Sequence, residues 1–111
     1  METRQVNIDV ALDHGTGVVR VRATGDIDEL GVPALRDALA VAAAHSPAAV
    51  EVDLGAATFF SCAGVAALLA AHTATDGRIV LVNASTPVRR LLDVLGLATT
   101  FRAPSQRTST Q

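Results

Sequence analysis

VEVDLGAATFFSCAGVAALLAA, residues 50–71, carries the chain from a short β-branched strand through a small-residue loop into an apolar helix. A brief apolar run followed by helical periodicity is the mark of a strand–helix unit, and such units build sheets with parallel pairing. At the junction stand Phe59-Phe60-Ser61-Cys62-Ala63-Gly64, the one place where polar and reactive atoms meet a helix N-terminus. A functional surface is expected to centre there.

Outward from this junction the chain alternates between elements. Upstream, Val6, Ile8, Val10 and Leu12 alternate with polar residues, as do Val19, Val21 and Ala23, which predicts a hairpin turned by Asp13-His14-Gly15-Thr16-Gly17. Gly25-Asp26-Ile27-Asp28-Glu29 is an acidic connection into a first helix beginning near Gly31, because Pro33 is tolerated only in a first turn. Leu35, Ala38, Leu39 and Ala42 form its buried stripe, and Ser46-Pro47 closes it. Ala49 to Leu54 reads as a central strand. In the helix after Ser61, Val65, Leu68, Leu69 and His72 share one face, while Ala66, Ala67, Ala70 and Ala71 fill the other.

Downstream, Thr75-Asp76-Gly77 is a turn and Ile79 to Val82 a fully buried strand. Thr86 as N-cap, Pro87 at the first helical position and Gly96 past the end bound a third helix, with Val88, Leu91, Leu92 and Leu95 as its stripe. Thr99 to Arg102 suits a last edge strand, and the tail from Pro104 is expected to be disordered. The order β-β-α-β-α-β-α predicts one α/β domain over residues 1–103, a mixed sheet of four to five strands with three or more helices. Both sheet edges and the alanine face need covering, by the chain or by a partner.

Composition narrows the function. The chain has 111 residues, half of them hydrophobic, with three Phe and no Tyr or Trp, so the core is aliphatic. Nine basic residues against eleven acidic ones, a net charge of −2, argue against nucleic acid, which needs a basic surface or stacking aromatics. No apolar run reaches the roughly 18–20 residues that span a bilayer. The opening METRQVNID is too polar for a signal peptide, so a cytoplasmic protein without membrane insertion is expected. A single cysteine excludes an intrachain disulfide and gives no support for structural zinc, and nothing implies a metal or cofactor.

Within the junction, Ser61 suits an N-cap whose oxygen is engaged by a backbone N–H. Cys62 at a helix N-terminus suits a thiolate nucleophile, yet none of His14, His45 and His72 stands at a spacing that marks a base, and a small buried hydrophobe is the plain alternative. Asp26 and Asp28, two apart at a strand end, suit a metal or acid/base pair, a helix cap or a solvated loop. Gly15-x-Gly17 has no following helix and is hairpin chemistry.

Three patches, in this order and spacing, resemble the STAS domains, and among them the bacterial anti-sigma-factor antagonists. They are Thr24-Gly25-Asp26-Ile27-Asp28; Val52-Asp53-Leu54 with Phe59 and the run Ser61 to Gly64; and Arg78 to Val82 followed by Pro87-Val88-Arg89-Arg90-Leu91-Leu92 and Leu95-Gly96-Leu97. The resemblance implies a STAS (SpoIIAA-like) fold and a partner of one kind, an anti-sigma factor that is a serine-kinase/ATPase-like protein. It also implies a phosphoacceptor serine at the start of the second helix, within Asp-Ser-x-Gly.

This chain reads Ser61-Cys62-Ala63-Gly64, so Ser61 stands where the Asp belongs and Cys62 where the phosphoacceptor belongs. A thiol is not an ordinary substrate of a serine kinase. Ser61, the remaining hydroxyl candidate, is one residue and thus about 100° out of register. Asp28 falls on the acidic position that the family uses near its partner, with Asp26 left to the surface. The resemblance thus implies a partner surface of Asp28, Ser61, Cys62, Ala63 and Gly64. It implies a non-enzymatic regulator of sigma-factor-dependent transcription, working without the usual phosphoswitch. The other expectation is a STAS subunit or scaffold of a transporter or sensory complex. A homodimer is left open.

Overall fold

The structure, a computed structural model, describes residues 6–102. β1 (Asn7–Asp13) and β2 (Val18–Ile27) form the expected hairpin, pairing antiparallel from Asp13↔Val18 to Asn7↔Thr24. Asp13 shapes its turn: Oδ1 accepts from the N–H groups of Gly15 at 2.9 Å and Thr16 at 3.4 Å. Those bonds favour the ionised carboxylate and hold its pKa below the ordinary value.

The chain continues through α1 (Val32–Ala44), β3 (Ala49–Leu54), β4 (Ala57–Phe60), α2 (Cys62–Ala74), β5 (Ile79–Ala84) and α3 (Thr86–Val94). β3 lies parallel between β2 and β5, as a central strand should. β4 takes up β2 at Gly25–Ile27, beyond the stretch paired with β3. The result is a mixed sheet of five strands with three helices, in agreement with the expected class.

Register puts one face of this sheet in the core. Val19, Val50 and Ile79 stand in line, as do Val21, Val52 and Leu81, and the helices cover that side. The stripe expected of α1, Leu35, Ala38, Leu39 and Ala42, is buried throughout. On the other face Arg20 and Arg22 are exposed and Glu51 and Asp53 half-buried, with a salt bridge of 2.7 Å from Arg20 to Glu51.

Five expectations change. β4 forms where the sequence predicts a loop: a register shift between Gly25 and Asp26 breaks its alternation, so that its ends are buried and its middle exposed. No strand forms at Thr99–Arg102. Those residues turn instead, Thr100 N–H donating to Leu97 O at 3.1 Å. β5 is not fully buried, because no helix covers the open sheet face; only Ile79 is. In α2, Ala67 and Ala71 are buried and Leu69 is exposed, because small side chains let α1 and α2 approach. The N-cap of α3 is Ser85, with Thr86 inside the helix and Pro87 in its first turn. Gly96 does follow α3 in the left-handed conformation, φ 74°.

The edge at β5 is covered by the chain itself. Ile79 N–H donates to His72 Nδ1 at 3.2 Å, and Leu81 N–H to Phe101 O at 2.8 Å. Phe101 is buried and meets the His72 ring edge-on, centroids 5.2 Å apart. Among the described residues no helix is long and apolar enough to cross a membrane. The boundary expected near residue 103 and the tail beyond it lie outside the described residues.

Candidate functional site at the ends of β2 and β4

Parallel strands bring their C-terminal ends to the same end of a sheet, and the helices that follow begin there. β2 and β4 do this as neighbours, with Ile27 opposite Phe60. Ser61 N–H donates to Ile27 O at 3.1 Å, which ties the start of α2 to the residue before Asp28. The expected site residues Asp28 and Ser61 to Gly64 are therefore brought together.

Ser61 is extended, φ −93° and ψ 164°, and its Oγ accepts from the Gly64 N–H at 3.2 Å. Its carbonyl accepts from Val65 N–H at 3.2 Å. This is the N-cap, worth about 1 kcal/mol to the helix. Cys62 is the first helical residue and is exposed with a free thiol; Ala63 is half-buried. Gly64 is buried against Phe60, and a Cβ there would come within 2.8 Å of the ring. Glycine is needed at this position for close approach, with no requirement for an unusual φ.

Asp28 is half-buried, and its carboxylate turns back on its own chain. Oδ1 accepts from Leu30 N–H at 3.0 Å and Gly31 N–H at 3.3 Å, while its carbonyl accepts from Gly31 at 3.0 Å and Val32 at 2.9 Å. An acid three residues before the N-cap Gly31 thus organises the start of α1, which has no side-chain cap of its own. Asp26, expected at the surface, is half-buried, and its Oδ1 accepts a hydrogen bond from Thr58 Oγ1 that joins β2 to β4.

The histidines lie elsewhere. His72 is ten residues along α2 from Cys62, roughly 15 Å at helical rise. His45 caps the C-terminal end of α1, and His14 sits in the hairpin turn before β2, at the opposite end of the parallel strands. Both His72 and His45 meet backbone through Nδ1, at Ile79 N–H and Val41 O. The thiol therefore has no histidine beside it. Among the described residues no three His, Cys, Asp or Glu side chains are grouped to hold a metal ion.

Two apolar residues join the site that pattern reading passed over or left unassigned. Leu30, in the turn after Asp28, is 91% exposed, and Phe59 beside the junction is 48% exposed. The sequence held one signal for Leu30. It lies five residues before Leu35, about 140° away from the buried stripe if the helix is extended backwards.

Residues 10–103 match the family described as "Mlab, STAS domain". The chain belongs to the STAS family. This STAS chain is 31% identical over 99 residues to the anti-sigma-F factor antagonist RsfB of Mycobacterium tuberculosis, covering 86% of this chain and 80% of that one. Among solved structures it is similar to an anti-sigma factor antagonist from Mycobacterium paratuberculosis, at 30% identity and TM-score 0.78 over 94% of this chain and 90% of that one. It also shares the fold of SpoIIAA in its unphosphorylated form, at 20% identity and TM-score 0.73 over 92% of each chain.

Proposed function

We propose that this STAS domain is an anti-sigma-factor antagonist that works by binding and not by catalysis, and that it lacks the serine phosphoswitch. The RsfB and M. paratuberculosis relatives support the antagonist reading. The partner is a kinase-type anti-sigma factor in the cytoplasm, and it docks on the Ser61–Gly64 helix start and on the neighbouring turn that Asp28 opens.

One observation carries the missing switch. At the two positions where a phosphoacceptor would be sought, the first offers a serine whose oxygen caps α2, and the second offers a thiol. Phosphorylating Ser61 would exchange its cap contact for a dianion one residue from the expected register, and Cys62 has no hydroxyl. SpoIIAA, which shares only the fold, has been solved in a phosphorylated form, so phosphorylation is compatible with this scaffold. What this chain lacks is the residue to receive it. Release of the partner is then governed by abundance or by competing partners, in place of a covalent charge of about −2 at the interface.

The test combines the purified protein with each purified kinase-type anti-sigma factor of the source bacterium, with and without ATP. Expected are a complex with one of them that persists in ATP and an unchanged intact mass. A panel in which none binds overturns the antagonist reading. A phosphate localised to Ser61 by fragmentation overturns the missing switch and leaves the antagonist reading standing.

A further inference from the structure

Leu30 is 91% exposed, the most exposed of the large hydrophobic side chains at this end of the domain. Single exposed aliphatic residues are common and usually mean nothing. What distinguishes Leu30 is how firmly its backbone is fixed. On one side Asp28 Oδ1 accepts the Leu30 N–H itself, at 3.0 Å. On the other, Gly31 is buried so tightly that an added Cβ would come within 2.8 Å of the Val6 side chain and 3.2 Å of Asp26 O. The turn is pinned from both neighbours, and its one apolar side chain points into water. Turn positions ordinarily favour Gly, Asn, Asp or Ser.

We infer that Leu30 is the apolar anchor of the docking surface, and that Asp28 serves as a positioning residue whose carboxylate holds Leu30 in place. This rests on the antagonist reading proposed above. An apolar side chain on a backbone that is already fixed costs less ordering when a partner buries it, and a few such anchors commonly dominate an interface. Phe59, half exposed near the end of β4, and the exposed Cys62 at the start of α2 lie at the same end of the domain. The partner surface that fits is an apolar socket, bordered by backbone or small polar groups. Oδ1 of Asp28 is engaged by the Leu30 and Gly31 N–H groups. A direct contact of that carboxylate with a partner's basic side chain would therefore fall on Oδ2, and the asparagine variant tests whether that charge is used.

The two roles for Asp28 separate cleanly. Asparagine keeps the accepting Oδ1 and removes the charge, while alanine removes both. The binding partner is the anti-sigma factor captured by the wild-type protein in the panel above, and affinities are read by titration calorimetry. Leu30→Ala is expected to weaken binding at least tenfold and Asp28→Ala about tenfold. Asp28→Asn should stay within about threefold of wild type. Val94→Ala is the control: Val94 is 82% exposed but lies at the far end of α3, eight residues and about 12 Å from its start, and should bind as wild type does.

Equal loss in Asp28→Asn and Asp28→Ala would mean a direct charge contact and overturn the positioning role. Unchanged binding by Leu30→Ala would overturn the anchor. Neither result touches the antagonist reading, which fails only if wild type binds no member of the panel. Of the three positions, Leu30 and Val94 are exposed, and circular dichroism melts of Asp28→Ala against Asp28→Asn show whether the alanine variant folds.

Discussion

α2 and α3 both begin after a serine in the same extended conformation, and the two serines do different work. Ser61 has φ −93° and ψ 164°, Ser85 φ −67° and ψ 168°. Ser61 Oγ accepts from its own helix, three residues on. Ser85 Oγ donates instead, to the carbonyl of Ala57 at 2.6 Å, and makes no cap bond. Its N–H donates to Leu54 O at 3.1 Å. One serine is a local device that finishes a helix. The other is a tertiary clamp that fixes α3 to β3 and β4. Local conformation does not decide a hydroxyl's task; the nearest unsatisfied backbone group does.

The residue three places after each serine sharpens the contrast. It is Gly64 in α2, pressed on the Phe60 ring, and Val88 in α3, fully buried in the core. Transferring the α3 residue into α2, Gly64→Val, drives a branched side chain into that ring. It is expected to cost about 3 kcal/mol in urea-unfolding experiments, the largest effect of this set. A cost below about 1 kcal/mol would show that Phe60 yields easily and that the junction is not closely packed. Next, Ser85→Ala strips the hydroxyl donor from the buried Ala57 carbonyl and should cost about 2 kcal/mol. Ser61→Ala removes only a cap and should cost about 1 kcal/mol. Ser61→Asp, which caps equally well, should lie within about 0.5 kcal/mol of wild type. If the two alanine variants proved equal, the distinction between clamp and cap would fall.

The smallest effect concerns a third local acceptor, Asp13 in the hairpin turn. Its pKa is lowered in the fold, chiefly by the Gly15 and Thr16 N–H groups. A depressed carboxylate contributes stability that is complete above its unfolded pKa and fades as pH falls through the folded one. Below about pH 4, wild type should therefore lose stability more steeply than Asp13→Asn, which keeps the acceptor but does not titrate. Parallel acid-melting curves would refute this.

Much of the fold was legible because it was written in period and punctuation. The α1 stripe, the hairpin alternation, Pro33 and Gly96 all act through bonds within a few residues. What pattern missed depended on partners distant in sequence. β4 has no alternation, because a bulge at Thr58 resets its register against β2. Ser85 was passed over for Thr86, because its hydroxyl answers a carbonyl 28 residues upstream. The threonines and Phe101 suit a strand, yet the segment turns on itself, Thr100 N–H to Leu97 O, and meets the sheet through Phe101 O at Leu81.

In the site, the Ser61 cap was readable as a motif and the departure at Cys62 as a missing acceptor. The use of Asp28 was not. An acid before a helix reads the same whether it faces a partner or its own backbone. Leu30 was hidden for the opposite reason: a leucine suggests interior, and only its angle to the α1 stripe argued otherwise.

The cover over β5 has a consequence for how the chain is made. Ile79 and Leu81 present their N–H groups outward, and the closing bond to Leu81 comes from Phe101, twenty residues later. During synthesis β3 and β5 can assemble before Phe101 has emerged. For that interval the nascent domain carries an open, apolar strand edge, the kind of surface on which neighbouring chains stick. Emergence of Phe101 is thus the event that closes the edge at Leu81.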